Sequence, residues 1–143
     1  MHIIGSLAVV LLVAGPAIVH AGPPSPQLLA WGTLGGVEQS ATSGGMKVVF
    51  PQDVDALDRA HVSIQGYRIP LAARTHFLLA SKPSDCETCI EGGPASYVEV
   101  FARAPVEPTF GRPLTVAGKL ELVRNEPSGA YYRLRDAEVV SVD

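Results

Sequence analysis

From Met46 onward, apolar residues recur at every second position within a series of short runs. In the run 61–69, Val62 and Ile64 fall on one face and His61, Ser63 and Gln65 on the other, which is the alternation of a half-buried strand. Four further runs, 74–80, 97–102, 114–123 and 130–142, are rich in β-branched and aromatic residues and are separated by Gly- and Pro-containing connections. Gly66 and Gly118 stand inside two of the runs, where a residue without Cβ marks a bulge or a tight bend. Five strands with central bends and no long helical pattern predict an all-β chain. A small five-stranded OB-like barrel is the first expectation, because a short coiled sheet needs such corners to close. A small β-sandwich has the same periodicity and is the alternative. Ahead of these strands, 46–50 is a short β-type run closed by Pro51. Residues 52–57 fit one turn of helix or a loop, with Val54 and Leu57 spaced to face the core.

The first part of the chain follows another rule. Residues 3–19 are almost wholly apolar and uncharged, Gly15 and Pro16 interrupt the run, and Val19-His20-Ala21 ends it. This predicts a signal peptide over 1–21, although Met1-His2 lacks the usual cation. An uncleaved segment is the alternative and would be the chain's only contact with a membrane. Three prolines within 22–26, Gly35-Gly36 and the 40–45 stretch (SATSGG) predict a Pro/Gly-rich tether over 22–45, with a short helical turn near Trp31. The barrel domain is then expected at 46–143. Export to an oxidising compartment, the periplasm, follows from the signal peptide.

Composition narrows the function. The 143 residues carry 11 Lys and Arg against 14 Asp and Glu, a net charge of −3. Such a chain lacks the positive field that supplies most nucleic-acid affinity, so nucleic acid is not an expected partner. No G-x-S-x-G elbow or phosphate-loop context occurs, and neither His61 nor His76 has an acid partner by spacing. The chain is therefore expected not to be an enzyme and to need no cofactor.

Cys86 and Cys89 are the strongest chemical signal, and three chemistries compete for them. A disulfide is favoured by export, although so small a ring gains only about 2 kcal/mol of loop-closure entropy. A metal half-site, of zinc type, would take two thiolates and the nearest imidazole, making Cys86, Cys89 and His76 a three-ligand set. A thiol–disulfide oxidoreductase needs its first thiol at a helix N-terminus, whereas Gly92-Gly93-Pro94 allows barely one turn and Asp85 and Glu87 would raise the thiol pKa. The four tyrosines read as barrel-wall residues, and Arg133 and Arg135, two apart, as one solvated strand face.

Between positions 51 and 100 the text resembles a family of small exported bacterial proteins, domain of unknown function 3299. The resemblance rests on Phe50-Pro51 to Leu57, on Val62-Ser63-Ile64-Gln65-Gly66-Tyr67-Arg68-Ile69-Pro70-Leu71, on Phe77-Leu78-Leu79 and on Cys86. The chain departs from the family where Cys89 and a single Pro94 replace a polyproline stretch, as in a divergent relative. The resemblance implies a periplasmic location, an OB-like barrel and an accessory role beside ABC-type permeases. It assigns no catalytic residue. The reading that unites these points is a periplasmic, non-enzymatic binding or accessory protein with a protein or transport-complex partner. Its recognition rim would be the loop 82–94 with Tyr67, His76 and Glu87, above the barrel mouth.

Overall fold

The computed structural model describes residues 25–86, 88–126 and 129–143. The segment 1–21 expected as a signal peptide, and Glu87 of the expected rim, lie outside the described residues. Five strands close the body: β4 (His61–Pro70), β5 (His76–Ala80), β6 (Tyr97–Ala102), β7 (Leu114–Leu122) and β8 (Tyr132–Val142). Their order is β4-β5-β6-β8-β7, and β7 pairs with β4 to complete the circuit. The β6–β8 contact is parallel and the other four are antiparallel. A circuit with no edge between its first and last strands is a closed five-stranded barrel, so the OB-like architecture holds and the sandwich does not.

The alternation read in the sequence is what fills the barrel. Val62, Ile64, Phe77, Leu79, Val98, Val100, Val116, Leu120 and Leu134 all point inward and are essentially inaccessible. The two strand glycines sit where neighbouring strands come too close for a side chain. A Cβ on Gly66 would lie 2.5 Å from the Ala80 carbonyl oxygen, and one on Gly118 2.8 Å from that of Arg135. Opposite Gly118, β8 carries one extra residue, shifting the register between Ala117 and Lys119. Asp136, at this bulge, takes a left-handed backbone (φ 50°), a conformation Asp tolerates.

The expected boundary at Met46 is corrected. Packed structure begins with β1 (Gln27–Leu29), parallel to residues 62–64 of β4, and continues through α1 (Trp31–Leu34). Leu29 and Leu34 are buried in the same core as the barrel strands. The Trp31 indole donates to the Gln65 carbonyl at 2.8 Å, and the buried Tyr132 hydroxyl donates to the Leu34 carbonyl at 2.7 Å. Burial pushes the Tyr132 phenol above its ordinary pKa, so it stays a donor. Apolar groups in this segment leave water by lying over the barrel wall, which local Pro and Gly content cannot foretell.

The stretch expected as loop at 40–45 is likewise part of a hairpin, β2 (Glu38–Thr42) paired with β3 (Gly45–Val49). All five β2 residues are exposed, so no hydrophobic alternation betrays the strand. The following turn, α2 (Gln52–Asp55), sends Val54 into the core as expected, and Leu57 packs against it.

Candidate functional site

Strand pairing places an unusual residue at one end of the barrel. Residues directly opposite on paired strands share a face. Arg68 lies opposite Leu79, and Pro70 opposite Phe77; Leu79 and Phe77 are fully buried. Arg68 therefore belongs to the inward row that runs through Val62, Ile64 and Gly66, and its guanidinium stands 5.4 Å from the Phe77 ring centroid. Its Nε is buried and has no hydrogen-bond partner among the described residues. Burial lowers the Arg68 pKa, Arg74 lowers it further and Glu107 acts in the opposite direction.

Around Arg68 lies a cavity of about 460 Å³, walled by three segments: 67–70 at the end of β4, 83–86 in the β5–β6 loop, and 108–111 in the β6–β7 connection. Cys86 and Cys89 are joined in a disulfide with their Cα atoms 5.2 Å apart, and both are exposed. The Cys86 amide donates to Ser84 Oγ and the Cys89 amide to the Cys86 carbonyl, a tight turn with no α-helix following it. The turn therefore lacks the helix N-terminus that lowers a reactive thiol's pKa. On the third wall, Phe110 is 90% exposed on a left-handed backbone (φ 50°). For a bulky non-glycine residue that conformation is costly.

Of the expected rim residues, Tyr67 and Cys86 share this cavity. His76 does not join them. It begins β5, whereas the disulfide loop leaves from Ala80; four strand steps put roughly 13 Å between these two residues. The His76 ring stacks on Phe101 at 4.5 Å, and its Nε2 lies 2.8 Å from a Glu99 carboxylate oxygen. The proposed ligand set of Cys86, Cys89 and His76 is therefore not assembled. Its thiolates are spent in the disulfide, and no group of three His, Cys, Asp or Glu side chains able to hold a metal occurs among the described residues.

Sequence reasoning missed Arg68 and Phe110. The phase of β4 carries a signal for Arg68, since Val62, Ile64, Gly66 and Arg68 keep one parity through the bend. Nothing local marks Phe110.

The outer face of the second and third barrel strands is where OB barrels usually bind oligonucleotides or sugars. Here His76 and Glu99 belong to that face, and from Glu99 a chain of ion pairs runs away from it across β8 to β7. Glu99 accepts from Arg133 at 2.8 Å and faces His76, Arg133 also reaches Glu126 at 2.6 Å, and Arg135 donates to Glu121 at 2.7 Å. The Arg135 guanidinium lies 4.1 Å from the Phe101 centroid. Arg133 and Arg135 are thus partly buried and paired, not a free solvated face. Partial burial opposes the charge on Glu99, but hydrogen bonds from Arg133 and His76 outweigh it and hold that carboxyl below the usual range. The Arg135 hydrogen bond does the same for Glu121, and the Glu99 hydrogen bond raises Arg133.

These directions fix a pH dependence. Carboxyls with lowered folded-state pKa stabilise the fold above the unfolded value, about 4.3, and that contribution disappears as pH falls through and below it. Urea midpoints should therefore drop between pH 5 and pH 3. Glu99→Gln should lose roughly 1–3 kcal/mol at pH 7 and show a flatter acid limb; a variant with the wild-type midpoint and acid limb would show that the pairing carries no stability.

The circuit of strands, the bulge and the mouth together define a small OB-type barrel with a built cavity at one end. In fold it is similar to a DUF3299 family protein from Pseudomonas aeruginosa PAO1, whose crystal structure superposes with a TM-score of 0.54 at 19% identity. The match covers 83% of this chain and 95% of that one. No family model matches the chain, and no curated protein does. At 19% identity the likeness is one of fold, and the solved neighbour is a protein of the family that positions 51–100 resemble.

Proposed function

We propose that the protein is a periplasmic, non-enzymatic binding module that recognises its partner at the barrel mouth, in the service of an ABC-type transport complex. One observation carries the reading: the disulfide-tied loop, Tyr67 and the projecting Phe110 converge on a single cavity. Conserving a small loop's shape with a covalent staple suits a surface that must present fixed contacts, and a large exposed apolar ring suits an anchor that is covered on binding. The periplasmic address rests on the apolar segment 3–19, and the transport partner on the family resemblance. The net charge of −3 argues against a nucleic-acid partner.

The test is site-specific photocrosslinking in cells from position 110, compared with position 38 on the exposed β2 strand. Adducts with an envelope transport component are expected from position 110 only, and they should weaken when Cys86 and Cys89 are both changed to Ser. The mature protein from the same cells should begin at Gly22 and weigh two hydrogens less than the reduced chain. Equal adducts from both positions, or adducts indifferent to the double Ser change, would reject the rim. A full-length cytoplasmic product would reject the address.

A further inference from the structure

We infer that the barrel mouth takes an apolar carboxylate, whose acid head pairs with the Arg68 guanidinium and whose hydrocarbon body lies along the groove towards Phe110. This rests on the mouth being the recognition surface and names the chemistry it reads. A buried charged donor without an acceptor is costly, and native proteins pair such groups almost without exception. Arg68 faces inward over Phe77 and is half-buried; its Nε is inaccessible and without a partner, and its side chain lines the cavity with no acceptor among the described residues. Glu107, the carboxylate whose charge acts on Arg68, is already held by Arg74 at 2.8 Å. An acceptor for Arg68 is therefore drawn from the cavity, where a water or a ligand oxygen can sit.

The rest of the cavity sets the class of ligand. Besides Arg68, its walls present Ile69, Pro70, Pro83, Pro108 and Phe110, a mostly apolar lining with one cation, Arg68, and one carboxylate, Asp85. That is the usual make-up of a small-ligand site, and about 460 Å³ falls within the range of roughly 300–1,000 Å³ for such sites. One guanidinium matches one carboxylate, in a two-pronged hydrogen bond. Asp85, also at the rim, repels any anion and a dianion such as a phosphate ester about twice as strongly, so a single negative charge is favoured over two. Phe110 borders this cavity and a second of about 630 Å³ beside it, so an elongated apolar body has room beyond the acid head. A fatty acid and the C-terminus of an apolar peptide both offer this chemistry.

Isothermal titration with four probes separates the possibilities: decanoate, 1-decanol, acetyl-Leu-Leu-Phe as the free acid, and the same tripeptide as its amide. At least one acid should bind about tenfold or more tightly than its neutral analogue, and Arg68→Gln should erase that preference while Arg68→Lys keeps part of it. The tighter acid identifies the source, lipid or peptide terminus. Equal binding of acid and neutral probe, an unchanged preference in Arg68→Gln, or no binding by either acid at about 1 mM would overturn the inference. If position 110 still crosslinks to its partner in that case, the recognition rim stands and only the carboxylate chemistry falls.

Discussion

Gly66→Ala is expected to destabilise the protein by about 3 kcal/mol, the upper end for forcing extra volume into a packed interior. The added Cβ would lie 2.5 Å from the Ala80 carbonyl oxygen, 3.0 Å from Leu79 and 3.2 Å from the Trp31 ring. The nearest of these is backbone and cannot swing aside as a side-chain tip would. Relief requires β4 to draw away from β5, and residues 67–70 and 77–80 are the pairing that positions Arg68 over Phe77. The substitution should therefore also weaken binding at the mouth, although position 66 does not line it. Urea denaturation measures the first effect. A loss below about 1 kcal/mol, set against the usual spread for point mutants, would show that the two strands are not held as closely as described.

Leu34→Ala should cost about 3 kcal/mol, within the 2–5 kcal/mol seen when a fully buried leucine is truncated. Leu34 is inaccessible to solvent although it lies in a segment whose composition reads as tether. Leu28 is the internal control: it is 64% exposed, and Leu28→Ala should stay within about 0.5 kcal/mol of wild type. Equal, small effects at both positions would mean that residues 27–34 do not dock on the barrel. The Tyr132 hydroxyl bonded to the Leu34 carbonyl and the Trp31 indole bonded to the Gln65 carbonyl make the docking specific as well as apolar.

The two effects differ in how openly the sequence announces them. A glycine at the centre of an alternating run is a local sign of a bend, and Gly66 and Gly118 both proved to be closures of the barrel wall. The docking of Leu34 depends on a barrel wall whose nearest pieces are some thirty residues and more away in the chain, as the 34-residue and 98-residue separations of its neighbouring hydrogen bonds show. Prolines at 23, 24 and 26 say how the chain enters; they say nothing of what it meets afterwards.

The candidate site divides in the same way. The four-residue span from Cys86 to Cys89 is short enough for the two sulfurs to meet without help from the rest of the fold, and they are joined. The partner of His76 is Glu99, on the neighbouring strand and 23 positions away, and a ligand set guessed from nearness in sequence missed it. Tyr67 and Cys86 line one cavity because β4 and the loop after β5 end at the same mouth. Phe110 joins them only because the β6–β7 connection folds back over that opening.

By itself the sequence determined the five barrel strands, most of their inward faces and the two bends, and it offered the disulfide as one of three chemistries for Cys86 and Cys89, because each depends on residues within a few positions of one another. The tertiary structure decided the rest: where the packed body begins, that Arg68 lies inside the mouth without an acceptor, and which charges pair on the outer face. Those outcomes depend on register and closure, which long connections and a one-residue bulge set across strands far apart in the chain.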